Sequence, residues 1–135
     1  MKCGVYMFTT IEQAVAFFDA RNKLGIKPGL ERINLLLASL DNPQNKIKAI
    51  HVAGTNGKGS TIGFLKSALV ANGYKVGVFT SPSFEGLTGH IFCNHEMITD
   101  QIFISLLNKV YPAITTLDEL DNHPTEFEII TAVAF

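Results

Sequence analysis

The order of apolar and polar positions divides the chain into short helical and strand-like stretches punctuated by glycine, proline and asparagine. Thr10-Ile-Glu-Gln13 has capping-box spacing, and Ile11, Val15, Phe18 and Leu24 then mark one side of a predicted helix. Gly25 and the Lys27-Pro28-Gly29 turn close it. A second helical period covers Leu30 to Leu40 with Ile33, Leu36, Leu37 and Leu40 inward, and Asp41 to Asn45 form a loop. Ile47 to Ala53 is β-rich and apolar towards its end, as expected of a strand buried on both faces of a parallel sheet. The glycine turn Gly54–Gly59 leads into a predicted helix from Ser60 to Asn72 that carries Ile62, Leu65, Leu69 and Val70. Gly73 stops that helix, and Val76 to Phe79 reads as a second buried strand, which makes a βαβ unit. Thr80 to Asn94 reads as irregular, and Thr99 caps a helix to Val110. Pro112 to Pro124 is an acidic connection with room for one helical turn. Thr125-Glu-Phe-Glu128 is a second capping box, opening a helix towards Phe135.

Composition narrows the classes. The 135 residues, 47% hydrophobic and 17% charged, suffice for one core and are too few for two good-sized domains. A net charge of −1 and the absence of Trp fit neither a polybasic nucleic-acid binder nor a disordered charged tail. No apolar run is long enough to span a membrane, and the first residues lack the continuous apolar stretch of a signal peptide. Cys3 and Cys93 have no metal-ligand spacing, so a reduced, cytoplasmic setting is expected. Residues 1–60 hold eight Lys/Arg against four Asp/Glu, and residues 61–135 hold three against eight. The first half can attract an anion and the second a cation, although surface scatter gives the same counts. The closing run Glu128 to Phe135 meets no Gly, Asn or Pro stop, so the chain reads as a fragment.

His51-Val-Ala-Gly-Thr-Asn-Gly-Lys-Gly-Ser60 carries the most chemistry. Its three glycines permit a tight turn that presents successive N–H groups to an anion, and the following helix adds its free N-terminal amides. Lys58 contributes a point charge, and Ser60 or Thr61 a hydroxyl suited to phosphate or Mg²⁺. These are the parts of a nucleoside-triphosphate phosphate cradle. The match to the generic P-loop is incomplete: Val52 stands where its first glycine belongs, and Gly59 follows the lysine in place of Ser or Thr. A ligand-free glycine turn is the competing interpretation, and no dinucleotide fingerprint is in register.

With these motifs in order the chain resembles folylpolyglutamate synthase and dihydrofolate synthase, the folate branch of the Mur-ligase-like ATP-dependent amide-forming enzymes. The resemblance rests on Leu24-Gly-Ile-Lys-Pro-Gly-Leu-Glu-Arg-Ile33, HVAGTNGKGS, Phe79-Thr-Ser-Pro82, and Phe127-Glu128 with Thr131, Ala134 and Phe135. It implies an α/β, three-layer P-loop nucleotide-binding domain with a mostly parallel sheet, incomplete in this chain. Residues 1–135 would be its amino-terminal part, without the rest of that domain or the carboxyl-terminal domain. It also implies that Gly54, Thr55, Asn56, Gly57, Lys58, Gly59, Ser60 and Thr61 bind ATP, with Lys58 catalytic. By the same resemblance, Ser81 and Glu128 would hold Mg²⁺, joined by a family histidine downstream of Phe135. The sequence departs from the family at Gly89 and His90, where Glu-Arg is usual.

From its residues alone Glu128 has two readings, as the acidic partner of a capping box or as a cation ligand. Ser81, just after a predicted strand, reads either as a turn cap or as a ligand at a sheet's carboxyl edge. His51 reads either as a packing residue or as a substrate contact, and His90, His95 and His123 read as loop residues. The resemblance implies ATP-dependent ligation of L-glutamate to folate, or to dihydropteroate, through an acyl phosphate, with no covalent nucleophile from the protein. Partners would be these small molecules, without nucleic acid or membrane, and the full-length protein a monomer; the isolated chain would be inactive. Another Mur-like ligase, a simple P-loop ATPase or kinase, and a non-enzymatic nucleotide- or folate-binding module remain alternatives.

Overall fold

The first helix, α1 (Ile11–Asn22), begins where the hydroxyl of Thr10 accepts from the Gln13 amide and the Gln13 side chain answers the Thr10 amide, the capping box expected from the spacing. The computed structural model describes residues 7–25, 27–81 and 85–135. Cys3, Ile26 of the approach segment, Pro82 of the F-T-S-P motif and the following Ser83 and Phe84 lie outside the described residues. The chain falls into two compact units, one from Met1–Lys46 with Thr99–Phe135 and one from Ile47–Ile98.

The first unit is helical: α1 and α2 (Glu31–Ser39) pack with two later helices, Asp100–Glu119 and Glu126–Ala134. The buried face of α1 is Ala14, Phe18 and Arg21, whereas Val15 and Leu24 of the predicted stripe are 42% and 40% exposed. Phe18 of the expected stripe is buried, and Arg21, which counts as polar in a pattern, runs inward beside it. Its guanidinium lies over the Phe17 ring, donates to the Pro124 carbonyl at 2.9 Å and pairs with Asp118. Leu36 and Leu37 are the buried side chains of α2, with Phe8, Phe103, Leu107, Ile114, Ile129 and Ile130 also in the core.

The long helix Asp100–Glu119 corrects the boundary expected at Val110 and the connection expected after Pro112. Pro112 lies inside it and removes the ladder bond to the Asn108 carbonyl. The helix persists because its apolar period crosses the proline unbroken: Phe103, Leu107, Val110, Ala113, Ile114 and Leu117 are all buried. Apart from Ala113, each of these side chains contributes about 1.5–3 kcal/mol when buried, and together they outweigh the roughly 3 kcal/mol cost of an interior proline.

In the second unit, α3 (Lys58–Ala71) is followed by β1 (Gly77–Phe79), β2 (Ile91–Cys93) and β3 (Glu96–Met97). These strands form one sheet in the order β1-β2-β3, and both pairings are antiparallel. The parallel βαβ pairing expected from the sequence is not what the described strands make. Ile47 to Ala53 forms no strand, and Ile47 and Ile50 are 51% and 65% exposed. An apolar run becomes a parallel strand only beside a partner strand, and no described residue pairs with it. The chain instead returns locally, through a 3₁₀ turn at Leu87–His90 and a two-residue turn at Asn94-His95 where Asn94 has φ 54°. Asn94 also closes β1, its side chain accepting from Val76 N at 2.9 Å and its amide donating to the Val76 carbonyl at 2.7 Å. We number the later helices α4 (Asp100–Glu119) and α5 (Glu126–Ala134).

Candidate functional site

The glycine turn ends in a left-handed residue: Gly57 has φ 77° and ψ 4° and directly precedes α3. A side chain at that φ would be strained, so glycine is what lets the chain enter the helix at this angle. Lys58 becomes the first helical residue, two positions earlier than the sequence suggests. The first bond of the helix's own ladder runs from Thr61 N to Gly57 O at 3.0 Å, so the amides of Lys58, Gly59 and Ser60 are those the helix offers to an outside acceptor. Gly54, at φ 153°, supplies the other unusual backbone angle of the turn. Residues 53–61 are all exposed. An exposed row of amides at a helix start, with a lysine at the first position, suits a polyanion.

Ser81 is exposed and lies two residues beyond β1. Its approach is held by His90, a residue that reads as a loop position from the sequence. Thr80 N donates to the His90 carbonyl at 2.9 Å, and His90 Nδ1 lies 2.8 Å from the Thr80 carbonyl. Because a carbonyl only accepts, Nδ1 carries the proton in this contact. His90 thus ties the end of β1 to the start of β2 through both its carbonyl and its ring.

Glu128 sits in the first turn of α5 and makes both predicted capping contacts. Its Oε2 accepts from Thr125 N at 2.8 Å, and its own amide donates to Thr125 Oγ1 at 3.3 Å. Sequence reasoning missed its third partner. Arg32 grips the carboxylate with both edges of its fork, Nε to Oε2 at 3.2 Å and Nη2 to Oε1 at 3.0 Å. The two side chains are 13% and 11% exposed. No local signal announces a pair 96 residues apart. A carboxylate offers about four acceptor directions, and these contacts leave one open, on Oε1. Carboxylate and hydroxyl oxygens such as those of Glu128 and Ser81 are hard donors, compatible with Mg²⁺. Among the described residues, no group of three or more His, Cys, Asp or Glu could hold a metal by itself.

No family model matches the chain. Individual relatives match over nearly all of it. It is 46% identical over 130 residues to the dihydrofolate synthase/folylpolyglutamate synthase of Bacillus subtilis (strain 168), covering 96% of this chain and 30% of that protein. The folylpolyglutamate synthetase structure from Lactobacillus casei superposes with a TM-score of 0.85 at 35% identity, covering 93% of this chain and 32% of that one. The chain belongs to the folylpolyglutamate synthase/dihydrofolate synthase family. A folylpolyglutamate synthase complexed with AMPPCP and folate also matches, at TM-score 0.84 and 36% identity, over 93% of this chain and 31% of that one. The fold class is accordingly that of folylpolyglutamate synthases, a Mur-ligase-like P-loop domain, of which the described residues form a part with one small three-stranded sheet. This member of the family spans about a third or less of the length of these relatives. No helix among its described residues is long and apolar enough to cross a membrane.

Proposed function

We propose that the protein built on this chain is an ATP-dependent ligase that joins L-glutamate to folate, with dihydropteroate the second acceptor to be tested beside it. The observation that carries this reading is the 46% identity to a dihydrofolate synthase/folylpolyglutamate synthase across 96% of the chain. The backbone of the glycine turn supports it. With Gly57 left-handed and Lys58 opening α3, the amides of Lys58, Gly59 and Ser60 suit ATP phosphate oxygens, in the company of Gly54, Thr55, Asn56 and Thr61. Lys58 would neutralise charge on the phosphoryl group as it moves to the acceptor carboxylate, forming an acyl phosphate that the glutamate amine then attacks. Ser81 and Glu128 would each offer an oxygen to Mg²⁺, which when bound neutralises phosphate charge as a Lewis acid. Residues 1–135 would be the amino-terminal part of the ATP-binding domain of a cytoplasmic, monomeric enzyme acting on small molecules.

The test is ADP formation by the intact protein with and without L-glutamate, run with tetrahydrofolate and then with dihydropteroate. Glutamate-dependent turnover with at least one acceptor is expected, and Lys58→Ala should reduce it by a factor of about 10³ or more. ADP release indifferent to glutamate would replace the ligase with a plain ATPase. Nucleotide binding without turnover would replace it with a binding module.

A further inference from the structure

The motifs assign Arg32 no role, yet its side chain makes the most extensive contact to a candidate cation ligand. We infer that Arg32 is a positioning residue for Glu128, holding that carboxylate in one rotamer with a single acceptor direction on Oε1 left for a divalent cation. The inference rests on the ligase reading, in which Glu128 is such a ligand.

The geometry is over-determined. Arg32 meets both carboxylate oxygens, and Thr125 N supplies a third donor to Oε2. The guanidinium is fixed in turn, because Nη2 also donates to the Lys27 carbonyl at 2.6 Å. A chain of contacts therefore runs from the turn before α2 through Arg32 to the cap of α5. Freezing a glutamate side chain costs about 1.5–2 kcal/mol of rotamer entropy, and here that ordering is complete before any cation arrives. Arginine suits the task because its planar fork engages both oxygens at once, which the point charge of a lysine does not. A mere tie between α2 and α5 needs only charge and packing; holding one oxygen free in a set direction needs the fork.

The measurement is Mn²⁺ binding to the intact protein with AMPPCP present, followed by electron paramagnetic resonance well below each variant's melting temperature. Both Arg32→Gln and Arg32→Lys should weaken Mn²⁺ binding by about 10–100-fold, the usual effect of losing an outer partner of a metal ligand. In turnover, the KM for Mg²⁺ should rise while kcat at saturating Mg²⁺ stays near the parental value. Because Arg32→Gln leaves Glu128 without a counter-charge and can unfold the protein, the charge-conserving Arg32→Lys is the deciding variant. A lowered Tm with Mn²⁺ affinity within about twofold of the parent, or tighter binding, would overturn the inference and leave Arg32 a structural tie. So would unchanged affinity in Glu128→Gln. The ligase reading fails separately, through the absence of glutamate-dependent ADP formation by the unaltered protein, and the inference would fall with it.

Discussion

His90 joins two neighbouring segments through one residue. Its carbonyl takes the Thr80 amide and its ring returns a bond to the Thr80 carbonyl, so the residue before Ser81 is fastened at both of its backbone polar groups. A buried or half-buried hydrogen bond is worth about 0.5–1.5 kcal/mol, which converts to a several-fold change in local opening. His90→Ala should therefore speed hydrogen exchange at the Thr80 amide by about 3–10-fold while leaving α4 amides unchanged. An unaltered Thr80 rate would mean that the backbone pairing alone holds the segment. Arg21 does comparable work in the helical unit, where its 9% exposed side chain ties α1 to Asp118 and to the Pro124 carbonyl. Neither role is visible in the sequence, since a histidine after a glycine and an arginine late in a helix both look like surface residues.

At the scale of elements, α4 shows how far an apolar period can override a local breaker. Pro112 sits on the exposed side while Ala113, Ile114 and Leu117 continue the buried face. Replacing it with alanine restores a ladder donor and removes the ring's clash, gains offset in part by a freer unfolded chain. Pro112→Ala should raise stability by about 1–3 kcal/mol, seen as a higher midpoint in urea with an unchanged slope. A lower midpoint would show that the proline ring itself contributes to the stability of the helical unit. The capping boxes at Thr10 and Thr125 were legible because all of their chemistry lies within four residues. The hairpin β2–β3 was not, because its strands are three and two residues long, too short for alternation to register.

At the scale of the whole molecule the two units differ in how much they bury. Helix α4 buries seven side chains, whereas α3 buries none and leaves Phe64 79% exposed. Local stability follows buried apolar contact, so in the isolated 135-residue chain α4 amides should exchange at least about 10-fold more slowly than those of α3. Equal protection in both helices would contradict that ranking. The sequence by itself determined what local spacing can specify: the caps of α1 and α5, the glycine turn with its lysine, and the family to which the chain belongs. Tertiary structure decided the rest. Glu128 meets Arg32 from 96 positions away in the chain, α4 runs through its proline because of the core beneath it, and a run that resembles a buried strand forms none without a partner. Capping boxes and turns are satisfied by near neighbours, whereas ion pairs, sheets and buried faces depend on what the rest of the fold brings alongside.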